Sequence, residues 1–216
     1  MKGVPLTEAL YQYLCEFGGA EDSFLQQLRQ QSIELGMPQI HISPEQLACI
    51  QFLLTVIGAK QVVEIGSLAG YSTLGMLRVL PEDGVLYAFE KNPDYAAYIR
   101  KKAEEIGAAA RLELVVGDAH QQLRAFRFAQ PVDFAFLDAD KPGYRDYWEL
   151  LDPVVRVGGI IAADNALMGG KILDEQSTDP DVYAMREFNR FVQQHSRYRS
   201  CIVPVGDGMI VAVKLR

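Results

Sequence analysis

Carboxylates stand at the ends of apolar runs along most of this chain. Glu64 lies near the end of Gln61–Ile65, and Glu90 ends Gly84–Glu90. Asp118 follows Arg111–Val116, Asp138-Ala139-Asp140-Lys141 follows Val132–Leu137, and Asp164-Asn165 follows Gly159–Ala163. A charge in such a place is expensive without a partner. Asp138, Asp164 and Asn165 offer two carboxylates and an amide carbonyl. These are hard oxygen donors suited to Mg²⁺ or another divalent cation, with positions left open for water or substrate. Each acid could instead cap the helix that follows it. Two aspartates and an asparagine after successive core strands favour the cation, because two like charges held together without one are costly.

The stretch Glu64-Ile65-Gly66-Ser67-Leu68-Ala69-Gly70-Tyr71-Ser72 joins an apolar strand to a helix. Glycines there let a ligand approach the backbone closely. The dinucleotide fingerprint GxGxxG fails at Leu68, and the phosphate loop GxxxxGK[ST] is missing. A nicotinamide dehydrogenase is therefore disfavoured. A loop poor in glycine and carrying a carboxylate suits a cofactor with positive charge and no phosphates. S-adenosylmethionine, a sulfonium with an amino-acid tail, meets both demands. Glu90 ends the second strand, where an acid can bind both hydroxyls of a ribose.

These residues need a scaffold that gathers strand ends. Leu6, Leu10, Tyr13, Leu14 and Phe17 recur at helical spacing, stopped by Gly18-Gly19. Phe24, Leu25, Leu28 and Ile33 mark a second helix ending near Gly36-Met37-Pro38. Ser43-Pro44-Glu45-Gln46 opens a third, with Ser43 as N-cap and Gln46 completing a capping box, and Gly58 ends it. Apolar strands then alternate with helices at Tyr71–Leu80, Asn92–Ile106, His120–Phe126, Tyr144–Val154 and Asp181–His195. Residues 165–180 read as irregular, and Arg199–Val205 and Met209–Leu215 flank Gly206-Asp207-Gly208 as a hairpin. The expected fold is α/β: a Rossmann-like doubly wound, mostly parallel seven-stranded sheet, covered on both faces, with a C-terminal antiparallel hairpin. One domain spans 1–216, as a helical N-terminal extension over 1–58 and a core over 59–216. Ligands in such sheets sit beyond the carboxyl ends of the strands.

Composition narrows the function classes. Of 216 residues 49% are hydrophobic and 23% charged, an ordinary globular balance. The net charge of −7 repels phosphate backbones, so nucleic acid is not an expected partner. No apolar run approaches a membrane span, and the start MKGVPLTEALYQYLCEF lacks the apolar stretch of a signal peptide, so a cytoplasmic protein without membrane contact is expected. Cys15, Cys49 and Cys201 form no CxxC and read as small buried hydrophobes. His41, His120 and His195 match no ligand spacing, and Tyr144, Tyr147 and Trp148 read as core or subunit interface.

EIGSLAGYS, the acid of YAFEKNP, GDA, LDADK, GGIIAADNALMGG and the late VGDG, with SPEQ and REFN, occur in this order over nearly the whole chain. In this the chain resembles the metal-dependent O-methyltransferase family, which includes catechol O-methyltransferase and the caffeoyl-CoA O-methyltransferases. By that resemblance Gly66, Ser67 and Ser72 hold the methionine end of the cofactor, with Glu64 lining the pocket and the Ile42 backbone touching it. Glu90 binds the ribose, Asp118 and Ala119 flank the adenine, and Asp140 sits in the pocket beside Asp138, which serves cofactor and metal alike. Asp138, Asp164 and Asn165 hold the metal, and Lys141 is the base that takes a phenolic proton. The implied substrate is a small vicinal dihydroxy-aromatic; the N-terminal helices lack a basic cluster for a coenzyme A phosphate. The same chemistry on a hydroxylated uridine of tRNA and a non-catalytic cofactor-binding protein are the alternatives. The resemblance also implies a homodimer.

Overall fold

The computed structural model describes residues 4–18 and 21–216. Gly19, expected to help stop the first helix, lies outside them, as do residues 1–3. Three helices come first: α1 (Glu8–Gly18), α2 (Ser23–Glu34) and α3 (Pro44–Val56). The alternating part follows as β1 (Gln61–Ile65), α4 (Tyr71–Leu77), β2 (Val85–Glu90), α5 (Pro93–Glu105) and β3 (Leu112–Val116). Next come α6 (Ala119–Ala125), β4 (Val132–Leu137), α7 (Tyr144–Leu151), β5 (Val155–Ala163) and α8 (Pro180–Gln194). The strands β6 (Tyr198–Val203) and β7 (Met209–Lys214) complete a seven-stranded sheet of order β3-β2-β1-β4-β5-β7-β6. β1 to β5 are parallel, and β7 runs antiparallel to both β5 and β6. The strand order reverses between β1 and β4, the crevice where ligands of such sheets bind.

The period of two along each strand divides the core in two. Phe134 and Phe136 of β4 pack with Leu47, Ile50 and Leu54 of α3 and Leu74 of α4 on one face. Ala135 and Leu137 pack with Trp148 of α7 and Phe188 of α8 on the other. Each such large side chain removed from water contributes about 1.5–3 kcal/mol. Tyr144, Tyr147 and Trp148 are all buried there, as expected of core residues. Below the sheet, Asp152 gathers Arg197, the Tyr198 hydroxyl (2.9 Å) and the buried Lys214 (3.3 Å). Among the described residues no helix is long and apolar enough to cross a membrane.

Several local expectations are corrected. α4 ends at Leu77, because Leu80 reaches the core from the turn that follows rather than from a further helical turn. α7 likewise stops at Leu151. β5 begins at Val155, ahead of the expected Gly159, because the strand bends through a register shift and Gly158 (φ 76°). The irregular stretch holds a 3₁₀ turn, Met168–Leu173, with Gly169 and Gly170 left-handed. The edge strand β3 leaves Glu113 and Val116 exposed, so cover on both faces fails at that edge. Cys201 is exposed on the other edge strand and Cys15 and Cys49 are half-buried, so the thiols are not the buried hydrophobes expected. The capping box of α3 does not form: Ser43 makes no side-chain cap, and its hydroxyl donates to Glu45 instead (2.6 Å).

Candidate active site

Gly66 closes β1 at φ +90°. A Cβ there would lie 2.2 Å from the Asp138 carbonyl oxygen, so the two strand ends meet only because residue 66 has no side chain. The following turn is held from below by Glu90. Its Oε2 accepts the N–H groups of Ser67 (3.3 Å) and Leu68 (2.8 Å), and its Oε1 accepts that of Asn92 (2.8 Å). This fixes Leu68 in a left-handed conformation (φ 47°) that a leucine adopts only under constraint. Each carboxylate oxygen carries two lone pairs, so Glu90 keeps acceptor capacity for a ribose.

A cavity of about 50 Å³ opens at this switch point and is lined by Ile42, Gly66, Ser67, Ser72 and Asp138, five of the expected cofactor residues. Glu64 lies beneath it, fully buried. Its Oε2 accepts the hydroxyls of Ser67 (3.0 Å) and Thr73, while its Oε1 is buried with no partner. Burial pushes its carboxyl up to about 7, against the pull of the surrounding hydroxyls. An orphaned acceptor of this kind fits a cationic group such as the ammonium of an amino-acid tail.

Glu64, expected to line the pocket, lies outside that cavity's wall, as do Glu90, Asp118, Ala119 and Asp140. The Asp118 side chain caps α6 by accepting the N–H of Gln121 (3.0 Å), the plain structural role an aspartate has before a helix. The segment is nonetheless joined to Asp140. His120, next to Ala119, stacks on Tyr147 at 4.2 Å between ring centres, and the Tyr147 hydroxyl donates to Asp140 (2.7 Å). His41, read as unremarkable, forms part of the cavity wall, edge-on to Tyr71 at 5.8 Å. Burial, with the Arg29 charge adding, holds its imidazole below the ordinary value. Thr73 also escaped sequence reasoning, for a lone threonine on a helix carries no signal of the acid it faces.

The second half of the site lies across the ends of β4 and β5. Asp138 is mostly buried, and burial raises its carboxyl to about 7, with the Asp164 charge adding to the rise and Lys141 opposing it. Burial likewise raises Asp164. The two acids follow the paired residues Leu137 and Ala163, and the Asp164 N–H donates to the Leu137 carbonyl at 3.0 Å, so they stand side by side at the strand ends. Asn165 adopts φ 61° and turns its amide nitrogen to Asp207 (3.1 Å), so its carbonyl oxygen is not spent on that bond. Asp207 also accepts the N–H of Gly169 (2.6 Å). Among the described residues no three His, Cys, Asp or Glu form a metal cluster. The donor set is two carboxylates and an amide, a hard-oxygen set that suits Mg²⁺ better than a softer ion.

Lys141 follows in a 3₁₀ turn, Lys141–Gly143. Its Nζ lies 3.4 Å from Asp138 Oδ1 and donates to the Tyr144 hydroxyl at 2.7 Å. A groove of about 880 Å³, lined by Lys141, Arg145, Tyr183, Phe188 and Phe191, runs between this turn and α8. The site thus combines a buried acid for a cation, a turn with room for a ligand, paired carboxylates and an amine beside them.

Residues 16–215 match the family described as O-methyltransferase. A catechol O-methyltransferase from Niastella koreensis is 36% identical over 213 residues, covering 95% of this chain and 96% of the relative. Caffeoyl-CoA O-methyltransferase 3 of Nicotiana tabacum is 30% identical, covering 99% and 93%. The crystal structure of an O-methyltransferase from Bacillus cereus in complex with SAH superposes with a TM-score of 0.87 at 30% identity, covering 95% of this chain and 97% of that one.

Proposed function

The chain belongs to the O-methyltransferase family, and on that premise we propose that it moves a methyl group from S-adenosylmethionine to one hydroxyl of a small vicinal dihydroxy-aromatic, with Mg²⁺ or another divalent cation held by Asp138, Asp164 and Asn165. The observation that carries this reading is the juxtaposition of Asp138 and Asp164 with the Lys141 amine 3.4 Å from Asp138. The SAH complex of the Bacillus cereus relative supports the cofactor, and the catechol O-methyltransferase relative supports the acceptor.

Each residue has a task in this reaction. The unpartnered Oε1 of Glu64 would take the ammonium of the cofactor's amino-acid end. The Gly66–Leu68 backbone, braced by Glu90, would give the cofactor a rigid floor, and the acceptor site left on Glu90 Oε1 would take a ribose hydroxyl. When bound, S-adenosylmethionine supplies a methyl carbon whose bond to sulfur breaks as the acceptor oxygen takes it. A bound cation supplies positive charge that favours the ionised acceptor hydroxyl. In its neutral amine form Lys141 would receive the hydroxyl proton on the free lone pair of Nζ and become the ammonium, with the Tyr144 oxygen and Asp138 fixing where that nitrogen sits. The β1 turn and the β4 end would hold acceptor and donor together, and such positioning is a large part of the rate of a transfer between two bound groups.

The test is a panel of diphenols assayed with labelled S-adenosylmethionine, with and without chelator. Transfer to a catechol that chelator abolishes and Mg²⁺ restores is the expected result. Transfer unaffected by chelator would remove the cation from the reading, and transfer to bulk tRNA but to no diphenol would replace the acceptor.

A further inference from the structure

Gln46 stands on α3, outside the alternating fold, yet its amide nitrogen donates to Asp164 Oδ1 at 2.6 Å across 118 residues of chain. Gln46 is 1% exposed and Asp164 6%, so neither partner has water to turn to. The other end of the amide is confined as well. A Cβ at Gly206 would lie 2.1 Å from Gln46 Oε1, so the Val205–Gly208 turn abuts it closely. The same turn is tied to α3 by Glu45, whose Oε1 accepts the Gly206 N–H (3.2 Å). The next residue, Asp207, is the partner of the Asn165 amide. The N-terminus of α3, the β6–β7 turn and both ends of Asp164-Asn165 thus form one connected polar network.

We infer that Gln46 is a positioning residue for the Asp164 carboxylate, through which helix α3 sets the orientation of the cation site. The inference rests on the reading of Asp138, Asp164 and Asn165 as cation ligands. The chemistry of the partner carries it. A neutral amide fixes the rotation of the carboxylate through one lone pair and leaves its full negative charge for an ion. Groups that orient metal ligands in this way typically change affinity by about 10–100-fold when removed.

The experiment compares wild type with Gln46→Met, which keeps length and volume but donates nothing. Mg²⁺ affinity is measured by titration calorimetry on SAH-loaded protein, and SAH affinity is measured separately in chelator. The expected result is Mg²⁺ binding weakened about 10–100-fold in Gln46→Met with SAH affinity held within about twofold. Gln46→Asn, whose amide falls one methylene short, should behave the same way and serves if the methionine variant does not fold. Unchanged Mg²⁺ affinity would overturn the inference, and so would a parallel loss of SAH affinity, which marks a general packing role. Wild type that binds SAH but no Mg²⁺ would instead overturn the cation reading on which the inference stands.

Discussion

The Lys141 amine lies 2.7 Å from the phenolic oxygen of Tyr144, three residues on, and Tyr144 is fully buried. Burial and the acids around it push the Tyr144 phenol far above its ordinary value, so it stays protonated and serves as a fixed neutral post. Lys141 is thereby held facing Asp138 rather than extending into solvent. Lys141→Ala should lower kcat by about 10²–10⁴-fold, the usual contribution of a positioned base, with SAH affinity nearly unchanged. Tyr144→Phe should lower kcat less, because the amine remains and only its position loosens. Single-turnover kinetics with a catechol check both, and undiminished turnover in Lys141→Ala would remove Lys141 as the base.

The Glu64 carboxyl sits at about 7 rather than its ordinary 4.5. In cofactor-free protein the folded state therefore keeps a proton that the unfolded chain has lost. This group's contribution to stability is full below pH 4.5 and declines until about pH 7 is passed. Glu64→Gln should show a shallower decline in thermal melts across the same window, the remainder coming from Asp138, which burial also raises to about 7. A ligand ammonium favours the carboxylate, so SAH affinity should rise about tenfold per pH unit below 7 and flatten above it. Calorimetry in which Glu64→Gln keeps the same pH dependence would disprove the pairing.

Gly66→Ala should cost about 1–3 kcal/mol for backbone strain at φ +90°, before the clash with the Asp138 carbonyl is counted. The clash spreads β1 from β4 at the crevice. Loss of SAH binding should therefore accompany the fall in denaturation midpoint. A variant that melts lower but binds SAH normally would show that the close approach has no part in the ligand site.

Asp152→Ala tests a network remote from the chemistry. It strands the buried Lys214, which is left with the carbonyls of residues 152 and 155 and no counter-charge. The expected loss is about 3–5 kcal/mol in urea unfolding, with kcat per folded molecule unchanged. A loss below 1 kcal/mol, within the range of about 0–1 kcal/mol for surface pairs, would mean that water reaches this corner.

Much of the scaffold was legible from residue order. Short runs such as Val132–Leu137, apolar but for Asp133, read as buried strands, and the helical stretches between them favour parallel pairing. The acids that follow those runs then fall at one edge, so Asp138, Asp164 and Asn165 could be named together. Element ends were less legible: Leu80 has the apolar character of a helix residue, yet it fills the core from a turn. At the site, sequence could name Glu64, Gly66, Ser67 and Ser72 because the turn after β1 keeps them adjacent. It could not name Thr73 as a partner of Glu64, His41 as cavity wall, or the bond of Gln46 to Asp164, which had looked like one half of a helix cap. Periodicity and strand-end chemistry are local properties, carried by neighbours in the chain. The pairing of an amide with a carboxylate 118 residues away exists only after α3 has packed on its face of the sheet, for that packing brings it to the end of β5.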